Sequence, residues 1–234
     1  MSASHSEVLV IAEVAADADG WWSAVRASAR AAAEAGANAV RTDPPPSLRV
    51  ADCEAWVELR KAVLRSDVDF LVTVSSVEEV ALVRRVGVGG LAAHVPGDCD
   101  EAFWEALGAA HLPVFLLCDG DSGEDVQGPL AILGRFDVGV TVVFGQAERP
   151  APPERLGLGR LQGTALAPRI VRGFADRSGT GWPIQAACVL GADVLEVPVS
   201  LSAYLPGAAG ALDPEGLRRA VQGVRYLAWV RAHR

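Results

Sequence analysis

Eight short apolar runs alternate with helical patterns along the whole chain, and this rhythm restricts the fold more than any other feature. Residues 7–14 (EVLVIAEV), 37–41 (ANAVR), 69–74 (DFLVTV) and 90–94 (GLAAH) read as the first four strands. Residues 113–118 (PVFLLC), 138–144 (VGVTVVF), 169–174 (RIVRGF) and 194–199 (VLEVPV) read as the other four. Helical patterns lie between them. Residues 20–35 place Trp22, Val25 and Ala29 three and four residues apart, and Trp56, Leu59 and Val63 continue the pattern. Further helices are expected over 76–86, over 100–110 (with Phe103, Trp104 and Leu107 on the apolar side), weakly over 129–134, and around Ala186–Leu190. Residues 154–163 read as an irregular or short helical turn. The closing helix starts at Asp213-Pro214, an aspartate N-cap followed by proline in the first turn. A strand–helix unit repeated eight times predicts an α/β fold, a (β/α)8 TIM barrel, with residues 1–234 as a single domain. A doubly wound sheet would show a glycine-rich phosphate turn after its first strand, and AEVAADADG is not one.

Composition narrows the partners. Half of the 234 residues are hydrophobic, enough for one ordinary domain core, and the net charge of −8 opposes binding to nucleic acid or an anionic membrane. No apolar run nears the ~20 residues of a membrane helix. The start, MSASHSEV, lacks the basic segment and apolar block of a signal peptide, so a soluble, cytoplasmic protein is expected. Cys53, Cys99, Cys118 and Cys188 are scattered, without a CxxC, and a structural zinc site is not expected. Cys118 stands out only because it ends a strand and precedes Asp119. Lys61 is the single lysine and lies in a helical pattern, which argues against Schiff-base chemistry, since that needs an amine aimed into a pocket.

Barrel chemistry sits at the C-terminal ends of the strands. By position the candidates there are Glu13, Arg41, Asp43, Thr73, His94, Asp119, Asp121, Gln146, Glu148, Asp176, Arg177 and Glu196. Any barrel offers such a set, and helix caps and rim charges belong to it. The stretch after the seventh strand, Ala175-Asp176-Arg177-Ser178-Gly179-Thr180, is the most polar of these strand ends.

At these residues the chain resembles the sialic acid (N-acetylneuraminate) synthase-like family. IAEV at 11–14 is similar to the family's IAEIG, AGANAVRTD at 35–43 to AGAdaVKfQ, and FLVTVSS at 70–76 to its FxSTPF strand. HVPGDC at 94–99 resembles KIPSGD, and LPVFLLCDG at 112–120 resembles KPVILSTGM. GFADRSGT, VLGADVLEVPVSL and LPGAAG resemble the family's GxSDHT, ALGAxxIEKHFTL and PGPDH, and LDPEGLRRAVQGVR at 212–225 resembles LxPxELkxxVxgIR. The likeness keeps its order over nearly the whole chain.

The resemblance implies a reaction in which phosphoenolpyruvate condenses with an amino sugar on a divalent metal held by two histidines. The matching positions here are Arg177 and Pro198, neither of which coordinates a metal. The family's phosphoenolpyruvate-binding lysines correspond to Arg41 and His94, and the Ser-Thr of STGM to Leu117-Cys118. Glu13, Thr73, Asp176, Glu196 and the Pro206-Gly207 turn keep the family's residue types. The resemblance also implies a C-terminal antifreeze-like domain, for which no sequence remains after the eighth helix, and a homodimer, since family barrels often pair.

The expected site therefore has Glu13, His94 and Glu196 as catalytic groups, with Arg41, Asp43, Thr73, Gln146, Asp176 and Arg177 binding substrate. Neither metal nor other cofactor is expected. The ligand is expected to be a small anionic keto acid or sugar derivative, and the reaction carbon–carbon bond formation or cleavage, or proton transfer beside a carbonyl. An inactive homologue acting as a partner subunit is the alternative, with Trp21, Trp22 and Trp182 as a surface patch. A true phosphoenolpyruvate-condensing synthase is the third reading.

Overall fold

The computed structural model describes residues 8–14, 21–45, 53–95, 100–119, 126–205 and 208–233. Strands β1 (Leu9–Val14), β2 (Ala39–Thr42), β3 (Asp69–Thr73), β4 (Gly90–Val95), β5 (Val114–Asp119), β6 (Val140–Gly145), β7 (Val171–Ala175) and β8 (Val194–Val199) form a closed barrel in chain order. Every neighbouring pair is parallel, and β1 closes on β8 with Ile11 opposite Glu196. Helices α1 (Trp21–Ala35), α2 (Cys53–Leu64), α3 (Val77–Val86), α4 (Glu101–Ala109), α5 (Gln127–Leu133), α6 (Arg160–Gly163), α7 (Trp182–Val189) and α8 (Pro214–Ala232) alternate with them. This is a single-domain (β/α)8 TIM barrel.

The expected elements are all present, with ends displaced by one to a few residues. The second strand, for example, runs over Ala39–Thr42 rather than 37–41. The irregular stretch at 154–163 resolves into a one-turn 3-10 segment, Pro153–Arg155, and the four-residue α6. Asp213 does cap α8, accepting from the Gly216 amide, and Ser76 and Asp100 cap α3 and α4 in the same way. In α1 the buried stripe starts at Trp21 and continues through Val25, Ser28, Ala29 and Ala32. Trp21 is fully buried and packs edge-on against Trp22 and Trp56, so it does not belong to a surface patch. Trp182 is 71% exposed.

Two apolar sets hold the barrel. Val10, Ala12, Val40, Val72, Leu116, Cys118, Phe144, Phe174 and Val197 face outward into the layer beneath the helices. Cys118 is thus a buried packing residue, whose thiol donates to the Leu116 carbonyl at 3.8 Å. Ile11, Ala39, Leu71, Ala92, Phe115, Leu117, Val143, Ala175 and Val194 fill the interior. Because side chains alternate along a strand, each interior residue fixes what lies two positions on, one layer nearer the C-terminal end. Those positions are Glu13, Arg41, Thr73, His94, Asp119, Gly145, Arg177 and Glu196.

The opposite end is closed by Arg225 of α8, which donates to the Val8 carbonyl and to Asn38 Oδ1, while Asn38 also accepts from the Val10 amide. This clasp joins α8 to the start of β1 and to the approach to β2. Arg225→Ala is expected to cost about 1–3 kcal/mol, the range for losing charge-assisted bonds and leaving a buried acceptor unmet. Urea unfolding measures it, and an unchanged midpoint would contradict the clasp.

Candidate active site at the barrel mouth

One step of strand alternation above an apolar plug brings Glu13, Arg41, Asp119, Arg177 and Glu196 into one layer, in which all but Asp119 are almost wholly shielded from solvent. Arg41 is fully buried at the centre. Its Nε and Nη2 donate to Glu196 at 2.8 and 3.0 Å, its Nη1 to Thr73 Oγ1 at 2.6 Å and to Asp43, and its Nη2 lies 2.8 Å from Glu13 Oε1. Arg177 stands beside it. Its Nη1 donates to Asp119 and, at 2.7 Å, to the Gln146 carbonyl, and its Nε lies 3.5 Å from Glu13 Oε2. Arg149, in the loop after β6, reaches across the mouth and donates to Glu13. Glu13 therefore faces three guanidiniums.

These neighbours set the protonation states. Burial would raise the Glu13 carboxyl, but Arg41, Arg177 and Arg149 hold it well below the usual range. Glu196 moves the other way, because burial and the adjacent Glu13 charge outweigh Arg41 and Arg177. Burial also works against ionised Asp119, yet His94 and Arg177 hold it at about 2. Arg41 and Arg177 stay charged: burial opposes this, and the carboxylates beside each prevail.

His94 is the accessible member of the layer. Its side chain is 47% exposed, and Nδ1 lies 3.3 Å from Asp119 Oδ2 while Asp119 Oδ1 accepts from Arg177. A carboxylate thus orients the imidazole from inside, and the imidazole meets solvent. Gly145 makes room for that carboxylate: a Cβ there would stand 3.2 Å from Asp119 Oδ1 and 3.0 Å from the Ala175 Cβ. Gly145→Ala is expected to push Asp119 off His94 and to cost about 1–3 kcal/mol by overpacking. Thermal unfolding reads the cost, and a wild-type melting temperature would contradict the close approach.

The structure gathers Glu13, Arg41, Asp43, Thr73, His94, Arg177 and Glu196 into one site. Gln146 enters through its backbone carbonyl. Asp176 does not join them: strand alternation turns it away from Arg177, and its Oδ1 accepts from the Ser178 amide in the loop to α7. Burial raises its carboxyl, and its Oδ2 has no hydrogen-bond partner. In this structure Asp176, expected to bind substrate, contacts the loop to α7. Arg41 has the protein's own carboxylates where an incoming anion was expected. Glu148 is a rim charge paired with Arg155, and Lys61 is an exposed helix residue paired with Glu58. Asp121, Cys99, the 15–20 segment, the loop over 96–99 and the Pro206-Gly207 turn lie outside the described residues. Arg149 was not singled out in the sequence, because it follows β6 by four residues and no strand periodicity reaches it. Asp119 was visible as a strand end, but its pairing with His94 was not.

Among the described residues, no group of three or more His, Cys, Asp or Glu side chains is arranged to hold a metal ion, and no helix is long and apolar enough to cross a membrane.

Fold and site together define a (β/α)8 barrel with a charged C-terminal mouth. No family model matches the sequence. The spore coat polysaccharide biosynthesis protein SpsE of Bacillus subtilis is 36% identical over 92 residues, which is 37% of this chain and 24% of that protein. Its crystal structure superposes with a TM-score of 0.83 at 25% identity, covering 94% of this chain and 68% of the solved one. The N-acetylneuraminic acid synthetase of Leptospira borgpetersenii, solved in complex with citrate, gives a TM-score of 0.86 at 16% identity and covers 97% of this chain and 85% of that one. A truncated 3-deoxy-D-arabino-heptulosonate 7-phosphate synthase from Thermotoga maritima gives 0.76 at 14% identity, over 96% and 88%. The last two likenesses concern the fold. The chain is similar to the sialic acid synthase-like barrels in fold over nearly its whole length and to SpsE in sequence over 92 residues.

Proposed function

We propose that the barrel mouth is an acid–base site acting, without a divalent metal, on carbon beside the carbonyl of a small anionic keto acid or sugar-derived ligand. The observation behind this reading is the His94–Asp119 pair: an imidazole oriented by a buried carboxylate and open to solvent at the strand ends. His94 takes the proton from the carbon acid, and Asp119 stabilises the imidazolium that results. Arg149 retains solvent exposure and spends its contact to Glu13 on one of five N–H donors, so it can meet a ligand carboxylate.

The family resemblance implies a divalent metal, and the residues present do not fit one. The positions that resemble its two histidine ligands hold Arg177 and Pro198, and Pro198 lies opposite Glu13 in the β1–β8 ladder. A guanidinium already occupies the space between Glu13 and Asp119, and Glu196 is engaged bidentately by Arg41. Glu196, with its raised carboxyl, is the second proton store, and ligand binding that displaced Arg41 would open it.

A specific observation also favours the alternative of an inactive binding homologue: every charge at the centre of the mouth already has a partner inside the chain. One experiment separates the two. The protein is incubated with pyruvate and with longer 2-keto acids in deuterium oxide containing a chelator, and exchange at the carbon beside the carbonyl is followed by proton NMR. Exchange above buffer, lost in His94→Ala, supports the acid–base site. Exchange that requires added manganese supports a metal-dependent synthase instead, and no exchange with any keto acid supports the inactive homologue.

A further inference from the structure

Charge does not balance at the mouth. Among the described residues, three guanidiniums (Arg41, Arg149 and Arg177) serve four carboxylates (Glu13, Asp43, Asp119 and Glu196). Buried charges need partners, so a centre with one carboxylate too many cannot take in a further anion without some compensating change.

The three guanidiniums are not equally placed to meet that anion. The side chain of Arg149 is 24% exposed, against 0% for Arg41 and 3% for Arg177. Two residues on, the Ala151 amide donates to the Arg177 carbonyl at 2.8 Å and pins the loop. Arg149 can therefore turn from Glu13 to a ligand carboxylate by side-chain rotation, with its backbone held.

That exchange redistributes the other two cations. Glu13 Oε1 accepts from Arg149 and also lies 2.8 Å from Arg41 Nη2, the nitrogen that donates to Glu196 Oε1 at 3.0 Å. Glu13 Oε2 faces Arg177 Nε at 3.5 Å, and neither atom has a hydrogen-bond partner. Without Arg149, Glu13 leans on Arg41 and Arg177. These are also the cations that face Glu196, at 2.8 and 4.0 Å, and the charge of Glu13 opposes it from β1. Asp119 keeps Arg177 and His94, and Asp43, at the edge, keeps Arg41. Glu196 is thus the carboxylate left with the least compensation, and burial beside Glu13 already raises its carboxyl.

We propose that anion binding at the mouth is coupled to uptake of a proton by Glu196: the ligand carboxylate takes Arg149 from Glu13, and the proton offsets the added charge. No covalent bond changes, and the proton comes from solvent as the ligand enters. This inference rests on the reading of the mouth as a site for an anionic ligand, and adds its regulation. Linkage is reciprocal: the ligand strengthens proton binding at Glu196 by the factor by which the proton strengthens ligand binding. Affinity therefore falls as pH rises above the range in which Glu196 of the free protein is protonated, by at most about tenfold per pH unit for one proton.

Calorimetry on the full chain tests it, with pyruvate and 2-ketobutyrate as probes in chloride-free buffers of different ionisation enthalpy. The dependence of the heat on buffer counts the protons taken up per ligand. Net uptake, up to about one proton, is expected in the wild type, together with weaker binding at higher pH. Glu196→Gln fixes the neutral state, so uptake should vanish and affinity should lose its pH dependence. Arg149→Gln should weaken pyruvate binding at least about tenfold, by removing a charge-assisted contact. His94→Ala should keep the proton uptake. Wild-type binding without uptake would overturn the proposal, and that measurement requires no variant to fold. Uptake that persists in Glu196→Gln, uptake lost in His94→Ala, or undiminished binding in Arg149→Gln with its circular dichroism intact would overturn it as well. If neither keto acid binds, the anion-site reading fails, and this inference with it.

Discussion

Replacing Arg41 by methionine is expected to destabilise the protein by about 3–5 kcal/mol, the cost of leaving buried carboxylates without their cation. Arg41 is fully buried and is shared by Glu196, Glu13, Asp43 and Thr73. Methionine keeps much of the volume, so the loss is electrostatic and not a cavity. Urea denaturation measures it, and the double variant Arg41→Met/Glu196→Gln should recover part of the loss by removing one stranded charge. A single variant as stable as wild type would mean that the carboxylates are neutral without Arg41. The pH dependence has a definite sign. Glu13 is depressed in the folded state, so its stabilisation is complete above the ordinary carboxylate range and is lost as pH falls through its folded value. Glu196 is raised, so its ionisation costs stability as pH rises through the unfolded value and up to its folded one. Acid scans of Glu13→Gln and Glu196→Gln should therefore depart from wild type in opposite directions.

His94→Ala is expected to lower exchange or turnover by about 10²–10⁴-fold, the usual contribution of a general acid–base group. Stability should change little, because the ring is half exposed and its contact is one carboxylate. Asp119→Asn should reduce the rate as well, by removing the charge that orients and stabilises the imidazolium. It should also cost stability. Asp119 titrates at about 2 instead of 3.8, a difference worth about 2 kcal/mol at neutral pH. That contribution is present above the ordinary aspartate value and disappears as pH falls from about 4 to about 2. A pH–rate profile adds the discriminating measurement. Loss of the acidic limb in His94→Ala would assign that limb to the imidazole, whereas an unchanged profile with a uniformly lower rate would make His94 a structural residue.

The candidate site was legible in proportion to strand periodicity. Glu13, Arg41, Thr73, His94 and Glu196 each lie two residues beyond an interior apolar side chain, and that offset is visible in the bare sequence. Asp176 and Arg177 show the limit. Both follow β7 and both looked polar enough to bind a ligand, but the half-turn between successive residues sends Arg177 inward and Asp176 into its own loop. Arg149 lies in a loop, where no period operates, and only the folded path brings it over Glu13. Trp21 and Trp22 are adjacent in a helix, and the stripe Val25–Ala29–Ala32 is compatible with either leading it. The neighbouring Trp56 and the barrel wall select Trp21 for burial.

By itself the sequence determined the eight strand–helix units, the parallel closed order, the aspartate cap of the last helix and the layer of polar residues at the strand ends. All of these follow from local periodicity and short-range backbone chemistry. Tertiary structure alone decided which charges meet. Arg41 and Glu196 are 155 residues apart and become bidentate partners because β8 closes on β1, next to β2. The same closure sets Arg177 between Glu13 and Asp119 and leaves His94 as the one ring of the layer facing water. Pairing of buried charges depends on distances across the barrel, and those distances exist only once the ring has closed.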